Sequence, residues 1–251
     1  MVLGVSIGNT HAVLGLGKEK ARSLSSAFCK KEHFVQAINQ FVHENNRRIG
    51  DITGVICASV KPALTSVFAE AVAQIFGYQP VIVHGSMPMA LDLSRYNKET
   101  IGSDRIAICE AAIARYPMPA VVFDFGTAIT INVVDENNIF LGGSILSGLK
   151  MSLDALSHNT AQLPSVSLSL SSPNILLGQN TEESIISGVT FCYGAMLDGV
   201  VARIESQIGK KATVLITGGD AEVILPFCQT KVTHIPELLM EGLFLLYERV
   251  N

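Results

Sequence analysis

The feature that most constrains this chain is a strand-turn-strand pattern that occurs twice. One copy is centred on Ser6-Ile7-Gly8-Asn9-Thr10, and the other, nearly half a chain length later, on Asp124-Phe125-Gly126-Thr127-Ala128. Apolar runs of strand length flank both turns: Val2–Ile7, Ala12–Leu16, Pro119–Asp124 and Ile129–Val134. Two matched openings of this kind predict an internally duplicated α/β protein with a cleft between its halves.

Hydrophobic periodicity extends this pattern along the chain. Apolar residues at helical spacing predict helices at His33–Asn45, Ala63–Phe76, Ser103–Tyr116, Gly148–Leu156, Thr181–Gln207 and Pro236–Glu248. Short apolar runs predict further strands at Gly54–Ala58, Pro80–Val83, Phe140–Gly143 and Val214–Thr217. Ser103 is a plausible N-cap of its helix. The second cycle starts after Tyr116-Pro117, so we predict domains at residues 1–117 and 118–251.

Composition narrows the possible functions. With 48% hydrophobic residues, 16% charged residues and a formal net charge of −4, the chain can build a core but has no basic patch for nucleic acid. The five cysteines have neither disulfide nor zinc spacing, and Cys57 and Cys109 lie in apolar runs typical of a core. The N-terminus does not have the form of a signal peptide, and no apolar run is long enough to be expected to span a bilayer. We therefore expect a soluble cytoplasmic protein with no membrane partner.

The two turns have the residue types of a phosphate-binding loop. Glycine allows the backbone to approach a phosphate closely, the turn amides can point at the anion, and Asn or Thr adds a polar donor. Gly8-Asn9-Thr10 by itself is more typical of a plain turn. Its recurrence as Gly126-Thr127-Ala128 in the second half favours phosphate binding. Neither a Walker motif nor a Rossmann fingerprint occurs.

Two carboxylates stand out. Asp124 ends an otherwise apolar strand, where a charge is costly unless a cation meets it; a hard metal ion or a turn-capping role would explain it. Asp104 lies in Gly102-Ser103-Asp104-Arg105 at the first turn of a predicted helix. There it could cap the helix or pair with Arg105 at the surface, or it could act as a base beside an anion clamp. The local sequence leaves both alternatives open.

Taken in order, these segments resemble one family. The set comprises Gly8-Asn9-Thr10, Gly102-Ser103-Asp104-Arg105, Asp124 to Ala128, Gly142-Gly143, Asn180-Thr181 and Thr217-Gly218-Gly219. It is similar, over nearly the whole chain, to type III pantothenate kinase of the acetate and sugar kinase, Hsp70 and actin superfamily. The resemblance implies a duplicated ribonuclease-H-like (actin/Hsp70-type) two-domain fold with a nucleotide cleft between the halves. It also implies phosphorylation of pantothenate to 4′-phosphopantothenate, the first step of coenzyme A biosynthesis.

The resemblance also implies roles for individual residues. ATP phosphates would contact the first loop and the second loop, namely Ser6, Ile7, Gly8, Asn9, Thr10, His11, Ala12, Val13 and Thr127. Pantothenate would contact Tyr96, Gly102, Ser103, Asp104, Arg105 and Thr181, with Asp104 as the catalytic base. Asp124 would hold a monovalent cation (K⁺ or NH₄⁺), and Mg²⁺ would accompany ATP. The family works as a homodimer with the substrate pocket near the subunit interface.

Four positions depart from the family pattern. Ser6 stands in place of an Asp that helps to hold Mg²⁺, and Ser has no charge to offer a metal. His11 replaces the usual Asn, Ser103 an Ala, and Ser147 a Pro. Ser6 favours a rival interpretation, a catalytically impaired ligand-binding or regulatory relative. The intact Asp104 and Asp124 segments favour an active kinase, and the short chain argues against a sugar or acetate kinase.

Overall fold

The computed structural model describes residues 1–17, 22–25, 30–170 and 175–251, with only the backbone described at 22–25. Cys29 lies outside the described residues. The strands are β1 Val2–Ile7, β2 His11–Leu16, β3 Arg22–Ser25, β4 Gly54–Ser59, β5 Val81–Ile82, β6 Ala120–Phe125, β7 Ala128–Val134, β8 Phe140–Ser147, β9 Thr213–Thr217 and β10 Thr233–His234. The helices are α1 Lys31–Glu44, α2 Pro62–Phe76, α3 Ser103–Arg115, α4 Leu149–His158, α5 Thr181–Ile208, α6 Ala221–Ile224 and α7 Leu238–Val250. Short 3₁₀ helices occur at Ile49–Asp51 and Leu225–Phe227.

The two sheets have the same strand order. The first runs β3-β2-β1-β4-β5, and the second, written from its corresponding edge, runs β8-β7-β6-β9-β10. In each sheet the opening strand pairs antiparallel with its hairpin partner on one side, and parallel with a later strand on the other. β1 and β6 are therefore equivalent central strands, and the predicted duplicated α/β fold is confirmed.

The strands that precede the two loops, β1 and β6, are packed on both faces. In β1 alternate residues face opposite sides of the sheet. Leu3, Val5 and Ile7 of β1 are buried in one core cluster with Leu14 of β2 and residues of α1 and α2. On the opposite face, Gly4 and Gly15 leave room for Met240 and Phe244 of α7. In β6, residues on both faces of the strand are buried, from Ala120 to Phe123 and again at Phe125. Each loop thus projects from the end of a firmly packed strand.

The chain divides into two compact units. The first unit contains residues 1–115, 138–140 and 237–251, and the second contains 116–137 and 141–236. The units divide near Tyr116, and both α7 and Asn138–Phe140 belong to the first unit. Apolar side chains on α7 cause this return, because Leu238, Leu243 and Leu246 are buried there.

Helix α5 corrects one expectation from the sequence. By length and composition alone its 28 residues could cross a membrane, although no apolar run was expected to do so. One side of the helix is buried in the core of the second unit, through Ile185, Val189, Leu197 and Val201. This burial is that of a core helix. Cys57 and Cys109 are also buried, as predicted.

Candidate active site

The first loop is a tight reversal between β1 and β2. Ile7 and Ala12 form the last strand pair, and the Gly8 N–H donates to the His11 carbonyl at 2.9 Å. Asn9, Thr10 and His11 are all exposed. A Cβ on Gly8 would lie 3.2 Å from that same carbonyl, so glycine suits the tightness of the turn. The predicted phosphate-binding residues are therefore presented to solvent by a short, closed turn.

The end of β4 joins this loop to the start of α3. The Val60 N–H donates to the Ile7 carbonyl at 3.0 Å, and Lys61 Nζ donates to the Asn9 carbonyl at 2.9 Å. Ser103 Oγ donates to the Ser59 carbonyl at 3.0 Å. β1 and β4 are parallel, so their carboxyl ends meet at one sheet edge, where α/β proteins bind ligands. The sequence did not indicate residues 59–61 as part of a site.

Ser103 itself departs from its predicted role. It was expected to be the N-cap of the helix, but it is the first residue of α3 and is 6% exposed. Its hydroxyl donates to Ser59 at the end of β4. Because this bond joins the helix to the neighbouring strand, the side chain fixes where the segment Gly102–Arg105 begins.

Asp104 lies in the first turn of α3 and is half-buried. Its Oδ1 accepts the Arg105 N–H at 2.8 Å. A Cβ on Gly102 would lie 2.4 Å from this same oxygen, so any side chain there would displace the carboxylate. Glycine at position 102 therefore allows the Asp104 carboxylate to take this position. The carboxylate remains partly exposed to solvent.

The guanidinium of Arg105 packs against two aromatic rings, those of Tyr96 and Phe140. The side chain is buried, at 5% exposure, and its guanidinium carbon lies 5.7 Å from the Tyr96 ring centre and 5.3 Å from that of Phe140. Nη1 also donates to the Tyr96 hydroxyl at 3.4 Å. The two rings pack edge to face, at 5.0 Å between centroids. Such contacts fix a guanidinium in one place, so an anion clamp here is preorganised.

A buried carboxylate that the sequence analysis missed positions the segment that carries Tyr96. Glu110 of α3 is fully buried, and it accepts the N–H groups of Ala90 (2.8 Å) and Leu91 (3.1 Å). It also pairs with Arg249 of α7 at 2.6 Å. A charged residue on the apolar face of α3 was the available signal, since a buried charge requires partners.

The second loop is closely packed. Gly148 N–H donates to the Thr127 carbonyl at 3.0 Å, and a Cβ on Gly148 would lie 2.3 Å from the Gly126 carbonyl oxygen. Thr127 is exposed. Gly218 has a positive φ of 96°, and a Cβ there would lie 2.5 Å from both Asp124 Oδ1 and the Phe125 carbonyl oxygen. Glycines on three sides therefore shape the surroundings of Asp124 and Thr127.

These oxygens fit a hard cation. A carboxylate oxygen of Asp124 and the Phe125 carbonyl oxygen both lie beside the position that a Gly218 side chain would fill. Hard cations of the Mg²⁺ and Ca²⁺ type take carboxylate and carbonyl oxygens of this kind. Among the described residues there is no cluster of three or more His, Cys, Asp or Glu side chains that could hold a metal. A cation here would therefore rely on one carboxylate, backbone oxygens and ligand oxygens.

Comparison with known proteins decides the family. The family described as Type III pantothenate kinase matches residues 2–203. The Type III pantothenate kinase of Moorella thermoacetica is 33% identical over 99% of this chain and 99% of its own length. This chain belongs to the type III pantothenate kinase family.

Solved structures agree on the fold. A Campylobacter jejuni protein described as a Baf family transcriptional activator has a TM-score of 0.60 at 22% identity, covering 98% of this chain and 97% of its own. A ROK family glucokinase from Streptomyces griseus, solved with glucose and AMPPNP, has a TM-score of 0.50 at 13% identity, covering 98% of each chain. This type III pantothenate kinase family member thus shares its fold with these solved structures.

In this family member Thr181 belongs to the second unit, whereas the other substrate candidates, Tyr96 and Gly102–Arg105, belong to the first. It starts α5 and lines an apolar groove of about 930 Å³ between α4 and α5. In the same groove Ser147 is hydrogen-bonded to Ser152 at 2.8 Å, and Tyr193 OH donates to the Ser147 carbonyl at 2.8 Å. A hydroxyl at position 147 therefore fits into a polar network and is tolerated by the fold.

Proposed function

We propose that this chain transfers the γ-phosphoryl group of ATP to the primary hydroxyl of pantothenate, giving 4′-phosphopantothenate for coenzyme A biosynthesis. Membership of the type III pantothenate kinase family over nearly the full chain carries the proposal. The chain is a kinase, and kinases of this superfamily use ATP with a divalent metal ion. No observation here favours the impaired-relative alternative beyond the serine at position 6.

Asp104 is the proposed catalytic base. As the hydroxyl oxygen of pantothenate forms its bond to the γ-phosphorus, the bond from that phosphorus to the bridging oxygen of ADP breaks. The hydroxyl proton passes to the Asp104 carboxylate. The position of Asp104 in the first turn of α3, set by Gly102 and by the Arg105 N–H, supports this role. Phosphoryl transfer depends mainly on such positioning and on neutralising charge.

The phosphates of ATP are proposed to contact Ser6 to Val13 and Thr127. Support comes from the closed turn at Gly8, from the exposed Asn9 and Thr10, and from the glycine-lined second loop. Asp124 is proposed to hold a monovalent cation, K⁺ or NH₄⁺. When bound, the cations neutralise phosphate charge, while the loops of this chain orient the phosphates.

Pantothenate is proposed to contact Tyr96, Gly102, Ser103, Arg105 and Thr181. Arg105 suits the pantothenate carboxylate, because a buried guanidinium fixed by two aromatic rings binds an anion with little loss of side-chain entropy. We also propose that the protein is a cytoplasmic homodimer. The exposed Met151 and Leu156 on the groove between α4 and α5 support an interface on that face.

A turnover assay tests the proposed base. Pantothenate, ATP, K⁺ and Mg²⁺ are incubated with the native chain and with Asp104→Asn, a change that keeps the size of the side chain but cannot take up the proton. We expect kcat to fall by about 10²- to 10⁴-fold in the variant. Calorimetric binding of ATP and of pantothenate should change little.

Asp154→Asn is the matched control, because Asp154 pairs with Lys150 on the exposed surface of α4, and it should keep the native rate. Equal rates for native chain and Asp104→Asn would remove Asp104 from the mechanism. An inactive native chain that still binds both ligands would instead support the impaired-relative alternative.

A further inference from the structure

Lys61 places a positive charge on the first loop, and nothing in the proposed mechanism so far uses it. It lies two residues after Ser59, the last residue of β4, and directly precedes Pro62, the first residue of α2. Its Nζ reaches across to the loop and donates to the Asn9 carbonyl at 2.9 Å. Asn9 is 52 positions away in sequence, so the contact depends entirely on the pairing of β1 with β4.

The ammonium group has donors to spare. Lysine carries three N–H donors, and the contact with Asn9 uses one of them. Within the described part of the chain Lys61 forms no ion pair with a carboxylate, whereas Lys150, Lys210 and Lys211 do. A cation left without an acidic partner beside exposed turn amides is suited to binding an anion.

The neutral side chain of Ser6 leaves the first loop in need of positive charge, and Lys61 is placed to supply it. An aspartate at position 6 would attract a divalent metal to the phosphates, but Ser6 is neutral. Tri- and diphosphates carry several negative charges, and their binding requires neutralisation. Unlike a metal ion, the ammonium group of Lys61 is part of the chain and needs no carboxylate to bind it. It can therefore neutralise part of the phosphate charge directly.

We propose that Lys61 binds the terminal phosphates of the nucleotide at the first loop and replaces part of the neutralising charge that a carboxylate-bound metal would supply. This inference rests on the proposed nucleotide site but not on the identity of the phosphoryl acceptor. It also accounts for how the chain retains a phosphate site with serine at position 6. A purely structural role, in which Lys61 only ties Asn9 to β4, is the alternative to exclude.

Calorimetric titration with AMPPNP, in Mg²⁺ and separately in EDTA, distinguishes the two roles. Lys61→Met removes charge and hydrogen bond, Lys61→Gln removes the charge but keeps a donor, and Lys61→Arg keeps both. Without metal we expect at least a tenfold loss of affinity in Lys61→Met and Lys61→Gln, and less than a threefold loss in Lys61→Arg. With saturating Mg²⁺ the losses should shrink. Lys231→Met, at another exposed lysine, should bind as the native chain does.

The outcomes separate cleanly. Native affinity in Lys61→Gln, or an equal loss with and without Mg²⁺, would show that Lys61 acts only as a tether and would overturn the proposal. Unfolding midpoints of the four variants should agree with the native value; Lys61→Arg keeps the test valid if Lys61→Met proves unstable. Because no acceptor is present, failure here is distinct from failure to phosphorylate pantothenate, which the turnover assay measures.

Discussion

Ser6 and Lys61 are single residues whose effects on the same loop are of opposite kind. Ser6 is neutral where the resemblance implies an aspartate, and Lys61 adds a charge within hydrogen-bond reach of Asn9. Ser6 pairs with Val13 and Ala58 near the ends of β1 and β4, so it lies at the point where β1 leads into the first loop. Substitutions at both positions therefore test how charge at this loop affects the protein.

Changing Ser6→Asp tests the missing charge. A carboxylate at this position should recruit Mg²⁺ to the phosphates, so we expect kcat to rise several-fold and half-maximal activity to require less Mg²⁺. Steady-state rates measured over a Mg²⁺ series provide the check. Ser6→Asn, of the same size but neutral, should show neither change. If both variants match the native rate, position 6 does not govern metal use.

At this scale the sequence predicts residues whose chemistry is local. Asp104 is a candidate because it lies two positions after Gly102 at a helix start, and Asp124 because it ends an apolar strand. Lys61 was not found, because its contact with Asn9 spans 52 positions and has no local signature. Glu110 had a signature, a charge among apolar neighbours, but its partners Ala90 and Arg249 are set by tertiary packing.

Elements with strong apolar patterning were predicted almost to the residue, as with β1 and α2. β3 was missed, because Arg22-Ser23-Leu24-Ser25 has a single apolar residue and lies at the edge of its sheet. β8 runs on to Ser147 beyond the predicted end at Gly143, through the positive φ of Gly142. Pairing with β7 continues the strand beyond that point.

Helices α3 and α7 approach each other closely at Gly242. A Cβ on Gly242 would lie 1.8 Å from the Ala107 carbonyl oxygen, so Gly242→Ala must push the helices apart. We expect the free energy of unfolding to fall by about 1–3 kcal/mol, the usual cost of overpacking. Denaturant unfolding measures this. Because α3 begins with Ser103 and Asp104, kcat should fall as well.

Gly188→Ala in α5 is the matched control for that change. No atom lies within 4 Å of a Cβ at Gly188. Alanine should then stabilise the helix by up to about 1 kcal/mol through its greater helix propensity. A similar loss of stability in both variants would mean that the close approach of α3 and α7 is not the cause.

On the scale of the whole molecule, the chain forms two compact units from interleaved segments. α7 packs in the first unit although it is last in sequence, and its buried residues include Leu238, Met240, Leu243 and Leu246. The predicted boundary placed α7 with the second domain, because periodicity identifies the apolar face of a helix but not which sheet that face covers. Topology alone could not supply this assignment.

A chain ended after Pro236 tests the assignment. Without α7, the apolar surface of α3 and the face of β1 at Gly4 lose their cover. Hydrogen exchange followed by peptide mass spectrometry should show lost protection in β1, β4 and α3, with β6 and β9 still protected. Removing Asn251 alone should change nothing. Retained protection in β1 and β4 would favour the predicted division into residues 1–117 and 118–251.

The return of α7 also has a consequence for biosynthesis. A ribosome that adds about 5–20 residues per second makes residue 237 roughly 6 to 24 seconds after residue 115. The N-terminal half must wait through that interval without its last helix, whereas the later half can fold as it emerges. A premature stop codon near the 3′ end of the message would therefore damage the part of the protein that was translated first.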